Sequence, residues 1–389
     1  SKVRNFERSE SEEQIRFLVF ISASFSVIST VAFNMETLSN KRVILKSRPG
    51  VNGEPSEDNF GVEECEMPSP ASLSPGQVLV KNLYLSVDPA LRCRMNEDSG
   101  VHYMSAWQLG QPIDGLGGVG EVETSADSTF AKGDLVSATF LWPWAAFFVI
   151  DGKHVKKMPK ELFDSQPSLA LSLLGGTGLT AYLGVAEKGH VTPGSGQTVV
   201  VSAAAGATGS LAGQVARLLG AERVVGICGS AAKCQFLEQE LGFDAAVNYK
   251  SGDVSAQLSK ACPDGVHVYF DNVGGDLSEQ VIEQMVPNGH VILCGQIAVY
   301  NKDLPYPPPI SPKLQQLIQD RNITRERFLV LDYSDKFDEA LGVLSQWYLA
   351  GKIKVKETVA EGMENTGKAF VSMMKGGNIG KQIVKVHNS

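Results

Sequence analysis

The sequence predicts an α/β protein in which a doubly wound parallel sheet is joined to a β-rich, barrel-like domain. Three observations carry this expectation. Beyond about residue 195, strand-like runs alternate with helical stretches, the pattern of a parallel sheet with crossover helices. From about 36 to 160, short strands alternate with turns. The chain then ends on strand-like runs, so its tail is expected to rejoin the first domain and leave the α/β unit as an insertion.

The composition supports a well-packed protein. Of 389 residues, 43% are hydrophobic and 20% charged, which excludes disordered, collagenous and multi-span membrane classes. Lys plus Arg is 35 and Asp plus Glu 43, a net charge of −8 without a basic block. Nucleic acid and anionic membranes are therefore not expected partners. The six cysteines, at 65, 93, 228, 234, 262 and 294, form no C-x-x-C and no zinc-finger spacing with histidine. No disulfide framework and no metal are expected, and free thiols suit a cytoplasmic location.

The expected organisation is a non-core extension over 1–34, a β-rich domain over 35–165, a dinucleotide-binding domain over 166–338 and a return to the first domain over 339–389. The apolar run Phe17–Phe33 is diluted by Ser and Thr and falls short of the ~20 residues that span a bilayer. An acidic stretch, Glu7 to Glu13, precedes it in place of a basic signal flank.

In the first domain, Val78–Leu85 follows the Pro75-Gly76 turn and reads as a strand. Ile113–Gly120 is rich enough in glycine to require bends or bulges. In the second, strands are expected at Thr198–Ser202, Arg223–Cys228, Ala245–Asn248, Val266–Phe270 and His290–Cys294. Near the end, a helix over Ala340–Leu349 precedes strand-like Ile353–Lys356 and Gln382–Val386.

The sharpest local motif is Val199 to Gly209, a buried strand running into a glycine-containing turn and then a helix. Gly206 and Gly209 match the second and third glycines of G-x-G-x-x-G, with Ala204 at the first. Gly206 would let backbone approach a pyrophosphate, Gly209 would let helix and strand pack, and the helix N-terminus would supply N–H donors. The bland alternative is an ordinary tight strand-to-helix turn. The next strand ends in Gly229-Ser230 without the Asp or Glu that holds an NAD ribose, while Lys233 follows within one turn. This favours NADPH. The bland reading of Lys233 is a solvated lysine.

Together with Leu85–Pro89, Phe270–Gly275 and Gly377–Lys381, this loop resembles the zinc-independent medium-chain dehydrogenase/reductase family. Arg94–Asp98, Phe140–Trp144, Tyr300–Pro309 and Asn322–Phe328 resemble its members that act on 15-keto prostaglandins. The resemblance covers about Met35 to the end. It implies a GroES-like catalytic domain and a Rossmann domain with the active site between them. The implied reaction is NADPH-dependent reduction of the enone double bond, with a small lipid as partner and a monomer or homodimer as assembly. It implies cofactor contacts at Gly206, Ala207, Thr208, Gly209, Lys233, Tyr249 and Asn272. Cys294, Gly295, Gln296, Ile297, Ala298, Val299, Tyr300, Phe328, Leu329, Val330 and Asn378 complete that set. Phe140 and Leu141 match substrate contacts, and Tyr103 and Tyr300 match tyrosines that face the substrate.

The chemistry asks for a hydrogen-bond donor to the ketone oxygen as negative charge develops there. Ser86 stands where zinc-bearing relatives place a Cys ligand, so Tyr300 is the expected donor, with Tyr103 as a second tyrosine at the substrate. Packing against the proline-rich loop is the alternative for Tyr300. Trp142 and Trp144 are either core or a substrate wall, and the Pro305–Pro312 stretch is either a stiff linker or a lid. Asp271 is expected to organise a turn. Three functions stay open: an enone reductase, another NADPH enzyme such as a quinone reductase, and a non-catalytic NADPH-holding protein.

Overall fold

The computed structural model describes residues 39–388, so the expected extension over 1–34 lies outside the described residues. The strands, in chain order, are β1 (Asn40–Leu45), β2 (Phe60–Cys65), β3 (Gln77–Ser86), β4 (Asp114–Gly115), β5 (Gly118–Ser125), β6 (Leu135–Ala138), β7 (Trp142–Pro143), β8 (Phe147–Asp151) and β9 (Lys156–Lys157). The second series is β10 (Thr198–Ser202), β11 (Arg223–Cys228), β12 (Ala245–Asn248), β13 (Val266–Asp271), β14 (Met285–Leu293) and β15 (Thr324–Arg327). The tail adds β16 (Glu357–Glu361) and β17 (Lys381–Lys385).

The second series forms one six-stranded parallel sheet in the order β12-β11-β10-β13-β14-β15. The chain starts at a central strand, runs outward to one edge and then restarts on the other side. That reversal opens a crevice at the carboxyl ends of β10 and β13, where such sheets bind ligands. Alternate residues face opposite layers. Val199, Val201, Phe270 and Ile292 pack with Leu179, Leu183, Leu211 and Val215 of the helices Gly176–Lys188 and Ala207–Leu218. Val200, Val225, Tyr269 and Val291 pack with Leu258, Val281 and Leu314 on the other side. Both faces are covered, which is why these strands read as continuous apolar runs rather than alternating ones.

The other large sheet has the order β16-β17-β3-β5-β6-β9, with β8 also on β3. β17 runs antiparallel to β3, pairing Ile383 with Ser86, so the tail closes this sheet. The glycine-rich stretch divides into β4 and β5, and β5 shifts register against β3 twice. Trp142 and Trp144 are fully buried, and Trp142 Nε1 donates to Asn82 Oδ1 at 3.1 Å. Their role is core packing.

Of two expectations near the tail, one is corrected and one is met. Ile353–Lys356 is not a strand; Ile353 is a buried anchor before β16, which begins at Glu357. The expected helix Ala340–Leu349 forms as Phe337–Leu349, packs into the core through Ala340 and Leu344, and sets Trp347 edge-on to Tyr182 at 5.7 Å.

Candidate active site

The carboxyl ends of β10, β11, β13 and β14 form one wall of a cavity of about 760 Å³. The opposite wall comes from the end of β3, the Ala138–Phe140 segment and the Met373–Gln382 segment.

The turn after β10 shows why its residues are small. Gly206 precedes the helix Ala207–Leu218, and Ser210 N–H closes the first turn on its carbonyl at 3.0 Å. A Cβ on Gly206 would meet only the Ala203 carbonyl, at 3.1 Å, and would otherwise stand in the cavity. A Cβ on Gly209 would lie 2.5 Å from that same carbonyl and 2.8 Å from Ala204 Cα, so helix and strand meet there without room for a side chain. Ala203 itself sits in the left-handed region, at φ +48. The helix thus presents its N-terminus to a space that its glycines keep clear, which fits a pyrophosphate.

Across the crevice, Asn272 is stapled to β10: its N–H donates to Ser202 Oγ at 2.9 Å and its Nδ2 to Ser202 O at 2.8 Å. Asp271 is fully buried. Its Oδ1 accepts from the Val273 and Gly274 amides, at 3.0 and 2.9 Å, and its Oδ2 accepts from Gln296 Nε2 at 3.1 Å. This carboxylate holds two loops in register, a structural task.

Beyond β11, Lys233, Tyr249 and Lys250 gather at one end of the cavity. Lys233 Nζ donates to the Gly376 carbonyl at 2.8 Å. Burial holds its ammonium below the usual lysine range; nearby Lys250 adds to this and the Cys228 thiol opposes it. A half-buried cation with a second cation beside it fits a phosphate.

At the other end stands Tyr300, half-buried, directly after the turn Ile297–Val299. Its hydroxyl lies 3.5 Å from where a Cβ on Gly295 would be. Burial pushes its pKa well above the usual phenol value, reinforced by Tyr306 and Cys93 and opposed by the Gln296 amide. It is therefore a neutral donor at physiological pH. Its neighbour Asn301 is anchored from the other domain: buried Arg92 donates through Nε to Asn301 Oδ1 at 2.8 Å and through Nη2 to the carbonyls of Gly50 and Gly53. Burial also raises the Cys294 and Cys228 thiols to about 12, so these cleft cysteines are protonated and poor nucleophiles.

Of the residues expected from sequence, the cavity brings together Gly206, Ala207, Thr208, Gly209, Lys233, Tyr249, Asn272, Cys294, Gly295, Ile297, Ala298, Val299, Tyr300, Val330, Asn378 and Phe140. It does not bring in the others. Phe328, 4% exposed, packs in the core near Gly184 and Phe270. Gln296 is buried on Asp271 and the Gly295 carbonyl. Leu329 is half-buried outside the lining, and Leu141 is 58% exposed with a left-handed backbone that turns it outward. Tyr103 lies outside the lining, edge-on to His102.

Sequence reasoning missed a chain of polar groups on the cavity wall. Ser86 donates to Asp88 Oδ2, and Lys381 Nζ donates to Asp88 Oδ1 at 2.6 Å and to the Val87 carbonyl at 3.0 Å. Lys381 ends the Gly377–Lys381 motif and Asp88 sits in Leu85–Pro89, so both stood inside noted segments; only their pairing across 293 residues was hidden.

Residues 41–158 match a family model described as the N-terminal domain of oxidoreductase, and residues 207–345 match one described as zinc-binding dehydrogenase. The chain is 40% identical over 336 residues to prostaglandin reductase 1 of Rattus norvegicus, covering 86% of this chain and 95% of the relative. It is 34% identical over 349 residues to the NADPH-dependent curcumin reductase of Escherichia coli, covering 89% and 97%. The chain belongs to the medium-chain dehydrogenase/reductase family. A solved member, CurA of Vibrio vulnificus in complex with NADPH, superposes with a TM-score of 0.80 at 32% identity, covering 90% of this chain and all of that one.

Zinc is implied by one of those descriptions, and the side chains here do not fit it. Among the described residues no group of three His, Cys, Asp or Glu stands close enough to hold an ion. At the cleft, Ser86 donates to Asp88, whose other carboxylate oxygen accepts from Lys381. Among the same residues no helix is long and apolar enough to cross a membrane.

Proposed function

We propose that this chain is an NADPH-dependent enone reductase of the prostaglandin reductase 2 kind, reducing the 13,14 double bond of 15-keto prostaglandins. The observation that carries the reading is one cavity that runs from the glycine loop to the neutral Tyr300 hydroxyl. Similarity to reductases named for NADPH, a prostaglandin and curcumin supports the cofactor and a small-molecule substrate.

When bound, NADPH supplies the hydride that the enone accepts at its β-carbon. The chain's own residues do the rest. The Gly206–Gly209 turn and its helix N-terminus hold the pyrophosphate, and Lys233 with Tyr249 holds the phosphorylated ribose. Asn272 and the Cys294–Val299 backbone shape the floor. Tyr300 donates to the ketone oxygen, and its hydrogen bond strengthens as that oxygen becomes an enolate, which lowers the barrier; a proton from water then adds at the α-carbon and restores the ketone. Phe140 lines the substrate end. We assign residues 166 to about 350 to the nucleotide domain, because Phe337–Leu349 packs in its core, with β16 and β17 returning to the catalytic domain. A cytoplasmic monomer or homodimer completes the reading; six free thiols support the compartment.

The test is NADPH oxidation with a 15-keto prostaglandin, with the 13,14-dihydro product identified by mass and NMR. Turnover of curcumin or a quinone, without turnover of the prostaglandin, would move the chain to another NADPH reductase. Tight NADPH binding without any turnover would make it a cofactor-holding protein.

A further inference from the structure

One cation near the cavity has no task in that reading. Arg327 ends β15, in register with Leu293 at the end of β14, directly beside the cavity wall that starts at Cys294. Its side chain is exposed and, among the described residues, makes no ion pair or hydrogen bond. The guanidinium lies over the Tyr306 ring, 5.2 Å from its centroid. Tyr306 belongs to the proline-rich loop that follows Tyr300, and its hydroxyl has no hydrogen-bond partner among the described residues. Arg327 also eases ionisation of both Tyr306 and Tyr103, which places its charge beside both phenols. The neighbouring carboxylate, Glu326, points to the opposite face of β15 and is taken by Lys188 Nζ at 2.6 Å. Arg325, on the Arg327 face, is half-buried and feels the buried Asp271 carboxylate, so the free positive charge on this face is that of Arg327. One guanidinium thus stands over the loop that follows Tyr300, just outside the cavity lining, and among the described residues no carboxylate neutralises it.

We propose that Arg327 and Tyr306 form an anion subsite at the mouth of the cleft that takes the carboxylate of an acidic lipid enone. This deepens the reading above and rests on it: Tyr300 holds the ketone, and Arg327 holds the far acidic end. A guanidinium accepts a carboxylate in a two-point geometry, and the Tyr306 hydroxyl offers a third donor. Neutral enones of the same length would lack this contact, so the subsite selects fatty acid-like substrates over curcuminoids and simple alkenals.

The experiment is calorimetric titration of the full chain, loaded with NADPH, with a 13,14-dihydro-15-keto prostaglandin as free acid and as methyl ester. The acid should bind roughly 10-fold tighter than the ester, and this preference should shrink as salt rises. Arg327→Met should abolish the preference, and Arg327→Lys should restore part of it, because lysine keeps the charge and loses the two-point geometry. Equal binding of acid and ester, or a preference that survives Arg327→Met, would overturn the subsite. Reduction of the enone methyl ester is measured separately. An ester that is reduced, without any acid preference in binding, sinks the subsite alone. An acid preference without reduction of either enone sinks the reductase reading alone, and failure of both ligands to bind sinks both.

Discussion

Tyr300 stands at the point where two domains control one hydroxyl. The sheet places it just past the end of β14, and Arg92 from the catalytic domain grips its neighbour Asn301. Tyr300→Phe keeps the ring and deletes the donor. We predict that kcat on enones falls roughly 100-fold, toward the lower bound for losing one oxyanion donor. NADPH affinity and Tm should stay near those of the unaltered protein, and a wild-type kcat would return Tyr300 to a packing role. Lys233 makes a different prediction. A contact from Lys233 to a 2′-phosphate would be charge-assisted, about 1.5–3 kcal/mol, so Lys233→Ala should weaken NADPH roughly 10- to 100-fold. NADH affinity should barely change; equal losses for both cofactors would show that Lys233 does not read the phosphate. That both residues would stand at the cavity was legible in the sequence, because each follows a recognisable strand. Arg92 was not, since nothing local says that its guanidinium will reach the carbonyls of Gly50 and Gly53.

The turn between β10 and the helix Ala207–Leu218 carries the cofactor reading, and its weak point is Ala203. A left-handed conformation costs an L-residue about 1–2 kcal/mol, and replacing it by glycine gives back about 0.5–1 kcal/mol in unfolded-state freedom. Ala203→Gly should therefore raise stability by roughly 0.5–1 kcal/mol, read as a rise in the denaturation midpoint. A fall would mean that the Ala203 side chain, which lines the cavity, makes packing contacts worth more than the strain. The opposite substitution fails nearby: a Cβ at Gly209 has no space, so Gly209→Ala should destabilise the turn and weaken NADPH together. Here the sequence was informative because the period of the strand, the glycine spacing and the following helix all agree. It missed Ile353–Lys356, where a short apolar alternation anchors a loop through Ile353 rather than pairing as a strand.

Lys381 and Asp88 pair within the catalytic domain, where β17 meets the end of β3 at the cavity wall. Lys381 is 2% exposed in its side chain and Asp88 18%. The preceding Gly380 donates its N–H to the Ala205 carbonyl at 2.8 Å, so this segment touches the phosphate turn and the end of β3 at once. Removing one partner of a buried ion pair costs roughly 3–5 kcal/mol because the other charge is stranded. We predict a loss near the lower end for Lys381→Met, since Asp88 keeps some access to water. Denaturant titration measures it, and adding Asp88→Leu should recover part of the loss. A single variant as stable as the unaltered protein would show that water solvates Asp88 in place of the ammonium.

What the sequence determined alone are the features written in short windows. The β10–turn–helix unit, the alternation of strands and helices and the missing ribose-binding acid each need only a short run of consecutive residues. What only the tertiary structure decided are the relations between distant windows. It turned Leu141 outward, sank Phe328 and Gln296 into the interior, made core of Trp142 and Trp144, and set Lys381 against Asp88. The physical reason is that backbone propensity and glycine geometry act over a few residues. Burial and charge pairing depend on which segments the sheet order brings together, and that order is settled by packing both faces of the sheet at once.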